Sequence, residues 1–332
     1  MSAGTLSGAA YPVRKRHEAH RENAVNRITV NDLLKAGVHF GHQTKSWNPK
    51  MKPYVYGVRH GVTIFDLTIT IKQLAAACDF LREVTANGGD ILFVGTKRQA
   101  QQMVQEGAQR CGMYFMADRW LGGTLTNHRI IRTRIQRLKD LRAMEADGRV
   151  DEMPNKEAAE MRRELSKLER TLAGIADLQG LPDAMVVIDI ENDDIAVKEG
   201  KRLNIPIVAV VDSNCDPDMV DYVVPGNDDA VRSLRLLLDA FVSAVEEGNA
   251  EAGRVVELPP ELAAKQEAEN AAEEETPASG ATEPAEDAET AAPEAQEQSE
   301  AQEEPSESPE PAPGEKAEEQ ASETSGKQPS AS

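Results

Sequence analysis

The chain changes character near residue 250, and only the part before that break has the composition of a packed domain. From Glu251 to Ser332 there are 23 acidic and 4 basic residues, 10 of the 18 prolines and no aromatic residue. Such a segment has too little apolar surface to offset an ordering entropy of about 1–2 kcal/mol per residue, so 249–332 is expected to be an acidic disordered tail. The totals of 57 acidic and 37 basic residues leave 34 and 33 for positions 1–250, so nearly all of the formal charge of −20 belongs to the tail. The acidic balance therefore does not exclude a polyanionic partner for the body.

The body is long enough to bury a sizeable core. Cys78, Cys111 and Cys215 are odd in number, far apart and without CxxC spacing, so a reducing compartment is expected and neither a disulfide framework nor a zinc site is. No run of about eighteen apolar residues occurs, and no membrane span is expected. Residues 1–27 lack the apolar core of a secretory signal and carry Arg14, Lys15, Arg16, Arg21 and Arg27. A flexible basic arm is the preferred reading there, over a transit peptide.

Helix and strand signals alternate along the body, which predicts an α/β fold with a largely parallel sheet of about five strands. A short helix around Asn31–Lys35 stops at Gly37, and Val62–Phe65 reads as a strand. Thr68 is the expected cap of a helix whose apolar positions are Ile71, Leu74, Ala75, Cys78 and Leu81. Ile91–Val94 is an apolar run suited to a strand buried on both faces, followed by a helix from near Lys97 to Cys111-Gly112. Further strands are expected at Met185–Ile190, Ile207–Val211 and Val220–Val224, with helices from about Asp193 to Leu203 and from a cap at Asn227 to about Glu246.

Between Asn127 and Asp177 the alternation stops. Ala158, Met161, Leu165, Leu168, Leu172 and Ile175 are spaced 3, 4, 3, 4, 3, which is a coiled-coil seam, and Ile131, Ile135, Leu138 and Leu141 form a second apolar stripe. Joined through Asp147-Gly148, the two helices should fold back as an antiparallel hairpin inserted in the sheet domain, which would then comprise 28–126 and 178–248.

Catalytic signals are weak. Gly95-Thr96-Lys97 lies where a phosphate loop would sit, but the earlier glycine is missing and Arg98 replaces the Ser/Thr, so Lys97 and Arg98 are better read as cations offered to an RNA phosphate. Asp193-Asp194 and Asp228-Asp229 read as helix caps. His39 and His42, with Asp189 and Asp212 beyond their strands, are the one set that would suit a metal; hydrogen bonds to neighbouring loops or RNA are preferred for them. No catalytic residue, cofactor or bound metal is expected.

Nucleic-acid signals are stronger. Lys45, Trp47, Lys50 and Lys52 interleave cations with an indole and no acid. Arg119, Trp120 and a Gly/Thr-rich run lead through Asn127 into Arg129, Arg132, Arg134, Arg137 and Lys139, again with no acid. Cations neutralise phosphates, an aromatic face can stack, and small residues let a backbone approach.

These segments together resemble the second family of bacterial small-subunit ribosomal proteins (the S-two family). The resemblance runs over about 28–248 and rests on Val30 to Gln43, Trp47-Asn48-Pro49-Lys50-Met51, Leu92 to Lys97, Arg119 to Asn127, Pro182 to Asp189 with Glu199 and Ile205-Pro206, and Val224 to Ala230, six segments in order. It implies a flavodoxin-like or Rossmann-like domain with a coiled-coil hairpin, and a non-catalytic structural role on small-subunit ribosomal RNA in translation. Neighbouring small-subunit proteins, including the large first protein (S-one), are implied partners, with the cytoplasmic ribosome as the location. The basic arm and the acidic tail depart from the family pattern.

Overall fold

The computed structural model describes residues 28–256, so the basic arm and the expected tail beyond Val256 lie outside the described residues. The tail's expected start is corrected: Asn249 to Ala252 continue the last helix, because Asn249 is buried and donates to the Cys111 carbonyl at 2.8 Å. The first helix, α1 (Val30–Ala36), is opened by a reciprocal capping box between Thr29 and Asp32 and closed by Gly37 in the left-handed conformation. Strands β1 (Phe40–Gln43), β2 (Val55–Arg59) and β3 (Val62–Phe65) then form a small antiparallel sheet in the order β1-β3-β2. Val62–Phe65 is thus a strand as expected, but outside the main sheet. The chain turns straight back from β2 through His60-Gly61, whose positive φ angles suit a tight turn, and such a turn joins only antiparallel neighbours.

The main sheet has five parallel strands: β4 (Ile91–Val94), β5 (Tyr114–Met116), β6 (Ala184–Val187), β7 (Ile207–Val211) and β8 (Tyr222–Pro225). Their order is β5-β4-β6-β7-β8. Sequence reading does not find β5, because its three residues are too short to show a period. The helices are α2 (Leu67–Ala86), α3 (Gln101–Arg110), α4 (His128–Ala146), α5 (Asn155–Leu172), α6 (Asp194–Arg202) and α7 (Val231–Ala252). Three starts differ from expectation. Asp66, not Thr68, caps α2, its carboxylate accepting from the Thr68 N–H at 2.9 Å. Ala100 and Gln101 both donate to the Lys97 carbonyl, so a turn precedes α3. Asn227 holds the Asp229 and Ala230 amides, and α7 begins just after them.

The period-two alternation of the strands divides the core into two layers. Ile91, Phe93, Ala184, Val186, Val208, Val210 and Val224 face a cluster that includes Leu33 of α1, Leu74 and Leu81 of α2, Val104 of α3 and Leu237 and Phe241 of α7. Leu92, Val94, Met185, Val187, Ile207, Ala209 and Val211 face the other, with Val197 of α6, Leu138 and Leu165 of α4 and α5, Met51 and Trp120.

The helices α4 and α5 are inserted between β5 and β6 and pack on one another, with Ile131, Leu138, Leu141, Ala158, Leu165 and Leu172 buried. Met161 and Leu168 of the seam are only partly buried. Arg137–Glu164, Arg142–Glu169 and Arg162–Glu145 pair the flanks of the two helices.

Candidate nucleic-acid interface

The chain leaves β4 toward β5 on one side and reaches β6 on the other, so the loops after β4 and β6 part and leave a crevice at the carboxyl ends of the strands. Gly95-Thr96-Lys97 follows β4, Asp189 to Asp193 follow β6, Asp212 to Cys215 follow β7, and Gly226 to Asp229 follow β8. Strand β1 is drawn over this edge: the His42 amide donates to Asp212 Oδ1 (3.2 Å) and Ser213 Oγ (2.8 Å). Only glycine suits position 41, where a Cβ would stand 2.9 Å from Ser213 Oγ.

Acidic side chains crowd the crevice, and one lysine reaches three of them. Lys97 Nζ lies 2.8 Å from Asp228 Oδ1, 2.6 Å from Asp229 Oδ1 and 3.3 Å from Asp189 Oδ2. Burial works against the charge on Lys97, but hydrogen bonds to Asp228 and Asp229 outweigh it and its pKa rises. Burial, then the Asp212 and Asp189 charges, push Asp228 up to about 7, with Lys97 opposing. His42 Nδ1 sits 3.0 Å from Asp212 Oδ1, too oblique for a regular hydrogen bond, and Nε2 is 3.4 Å from Asp229 Oδ2. The Asp212 carboxylate against the ring raises His42 to about 9, burial opposing and Asp228 and Asp229 adding to it. Asp193 accepts from the Thr96 amide (3.1 Å) and hydroxyl (2.8 Å), and burial pushes its carboxyl up.

Ligand atoms of His42, Asp212 and Asp228, and of Asp189, Cys215 and Asp228, lie within 4.8 Å of one another. The four residues read together from the sequence are thus divided, and His39 stands apart with its ring against Phe40 at 3.9 Å. In both groups Asp228 is already held by the Lys97 ammonium, so a cation's place beside it is filled by the protein's own charge.

The cations singled out for RNA divide into two groups. Lys45, Lys52, Arg98, Arg119 and Arg129 are exposed, without a carboxylate partner among the described residues, and Trp47 keeps 37% of its surface exposed. Asn127 is exposed at the start of α4, and Arg132 is exposed while donating to the Gln179 carbonyl at 2.5 Å. Lys50 is half exposed but lies 2.6 Å from Asp216 and 2.7 Å from Asp218. Two residues turn inward: Lys97 into the acidic crevice, and Trp120, 7% exposed, into the second core layer. Asn48 ties the Lys45–Lys52 loop to the same strand ends by donating to the Ser213 carbonyl at 2.8 Å.

Trp120 turns inward because of Glu199 of α6, whose role sequence reasoning missed. Its Oε1 accepts from Trp120 Nε1 (3.2 Å) and the Gly123 amide (2.6 Å), and its Oε2 from the Leu125 amide (3.0 Å), the Thr126 amide (3.1 Å) and the Thr126 hydroxyl (3.2 Å). Burial alone would raise its pKa, but these donors hold it below the usual carboxylate range. The signal was present: Glu199 is a lone acid on the apolar face formed by Ala196, Val197 and Gly200.

The family model described as Ribosomal protein S2 matches residues 33–248, from α1 into α7 and across the strand-end loops. The chain belongs to the ribosomal protein S2 family. Among curated members it is similar to the protein named small ribosomal subunit protein uS2 of Geotalea uraniireducens (strain Rf4). The two are 53% identical over 224 residues, which is 68% of this chain and 88% of that protein. The S2 match takes in every residue singled out for RNA, together with Glu199 and the acidic crevice.

Proposed function

We propose that this chain is held on small-subunit ribosomal RNA by the exposed cations that ring the carboxyl ends of its parallel strands. As a member of the ribosomal protein S2 family it is a structural constituent of the small ribosomal subunit and not an enzyme. One observation carries the RNA reading: among the described residues Lys45, Lys52, Arg98, Arg119 and Arg129 stand without counter-charges, with Trp47 exposed, while many other cations are paired. A nucleotide-binding reading is not favoured, because the Lys97 ammonium is occupied by Asp228 and Asp229. Contacts with other small-subunit proteins, the large first protein (S-one) among them, and a cytoplasmic location belong to this proposal through the family resemblance.

Each phosphate contact contributes about 0.7–0.9 to the slope of log affinity against log salt. Replacing Lys45, Lys50 and Lys52 together by Ala is expected to flatten that slope for a small-subunit RNA transcript and to weaken co-sedimentation with small subunits. A folded triple variant with an unchanged slope removes this loop from the interface.

A further inference from the structure

We infer that Glu199 is a positioning residue for RNA binding, its buried carboxylate setting the Arg119–Asn127 loop so that Arg119 and Arg129 are presented to phosphate. This rests on the RNA reading above and adds to it a cause for the loop's shape. The middle of the loop is built of small residues. Gly122, Gly123, Thr124 and Thr126 supply little apolar anchorage, and Gly123 takes a φ of 88°, in the left-handed region that glycine enters at no steric cost. Trp120 and Leu125 anchor it in the second core layer, and Thr124 and Asn127 bond back within it. Among the described residues, however, the one side chain of another element that hydrogen-bonds to it is Glu199, which α6 brings beneath it so that five donors converge on two oxygens.

Glu199 as a residue is 8% exposed, and among the described residues no lysine or arginine pairs with its carboxylate. Its charge is satisfied by neutral loop donors alone, much as a bound anion is held by a nest of backbone amides. An ionised carboxylate has about four lone-pair directions, and all are engaged here, so Glu199 has no capacity left for an outside ligand. Its influence therefore passes through the loop. Arg119 adjoins the held Trp120, and Asn127, next to the held Thr126, opens the helix that carries Arg129. With both ends of the loop latched, the two guanidinium groups are brought to RNA without an ordering cost at the moment of binding.

The test is Glu199→Gln in the full chain, with hydrogen exchange of the loop amides and affinity for a small-subunit ribosomal RNA transcript as readouts. Glutamine keeps the size but turns an NH2 group toward at least two donors, so one side of the latch opens. Faster exchange at Gly123, Leu125 and Thr126 is expected with the sheet amides unchanged, and RNA affinity falls roughly tenfold. Arg119→Ala then costs several-fold in the parent chain but little more in the Glu199→Gln background, a coupling that a merely structural role would not produce. Glu199→Asp keeps the charge but reaches fewer donors, and its loss is intermediate; should the glutamine variant not fold, the aspartate variant carries the same comparison. Additive losses, or RNA affinity unchanged in a chain whose loop amides exchange quickly, overturn the inference alone. If Arg119→Ala and Arg129→Ala have no effect on RNA in the parent chain, the RNA reading fails at this loop and takes this inference with it.

Discussion

Lys97 and Lys45 are both lysines on loops at the strand ends, yet their chemistry differs because of what faces each one. Lys97 meets Asp228, Asp229 and Asp189, whereas Lys45 is exposed with no carboxylate partner among the described residues. Removing the first leaves mostly buried carboxylates without their cation, so Lys97→Met is expected to destabilise the fold by roughly 3 kcal/mol, read from the denaturant midpoint. An unchanged midpoint with a flatter RNA salt slope would place Lys97 on the RNA instead. His42 gives a pH signature. Its folded pKa of about 9 stands above the ordinary 6.5, so its contribution is complete below about pH 6.5 and lost as pH rises through 9. Asp228, raised to about 7, has the same sign: its favourable contribution lies at low pH and is gone above 7. Unfolding free energy should fall by about 1–2 kcal/mol between pH 6.5 and 9, after discounting for partial exposure of the ring, and His42→Gln should remove most of that slope. A slope unchanged in the variant would assign the loss to other groups.

Among the elements, the paired helices α4 and α5 offer the sharpest contrast between pattern and packing. The heptad spacing marks Leu165 and Leu168 alike, but Leu165 is 6% exposed and Leu168 is only partly buried. Leu165→Ala should cost about 2–4 kcal/mol and Leu168→Ala clearly less, with fast hydrogen exchange confined to about 127–177. Equal costs, or exchange spreading through β4 and β6, would show that the pair does not melt as a unit of its own. The same contrast explains what the sequence revealed. Apolar runs such as Ile91–Val94 and Ile207–Val211 were legible because a strand covered on both faces has one composition, and six ordered motifs made the family legible. Partnership across the chain was not legible. Lys97 looks like a phosphate ligand and Trp120 like a stacking platform until Asp228, 131 residues away, and Glu199, 79 residues away, come into contact with them. Nor does local pattern reveal that β3 belongs to a separate sheet, since a strand's own residues do not say which neighbour it pairs with.

At the scale of the whole molecule, charge and fold separate along the chain. The 76 residues beyond Val256 carry 22 acidic and 3 basic residues, and the family match ends before them, at Gly248. Deleting 257–332 should bring the formal charge from −20 to about −1 while leaving the melting temperature and entry into small subunits unchanged. A lowered melting temperature or failed entry would give the tail a part in the fold or in assembly. The body itself is closed by its last element. Helix α7 lies against α2 and α3, with Leu237, Phe241 and Val245 in the layer that also holds Leu74, Cys78 and Leu81 of α2. The apolar face of α2 is thus made early in synthesis, and although α1 and β8 also touch it, its largest cover, α7, begins at Val231, 145 positions after α2 ends at Ala86. A chain that stops before Val231 therefore lacks that cover and leaves apolar surface of α2 open to water, the kind of mark by which chaperones and proteases recognise unfinished product. Completion of the reading frame is thus the condition for closing this layer of the core.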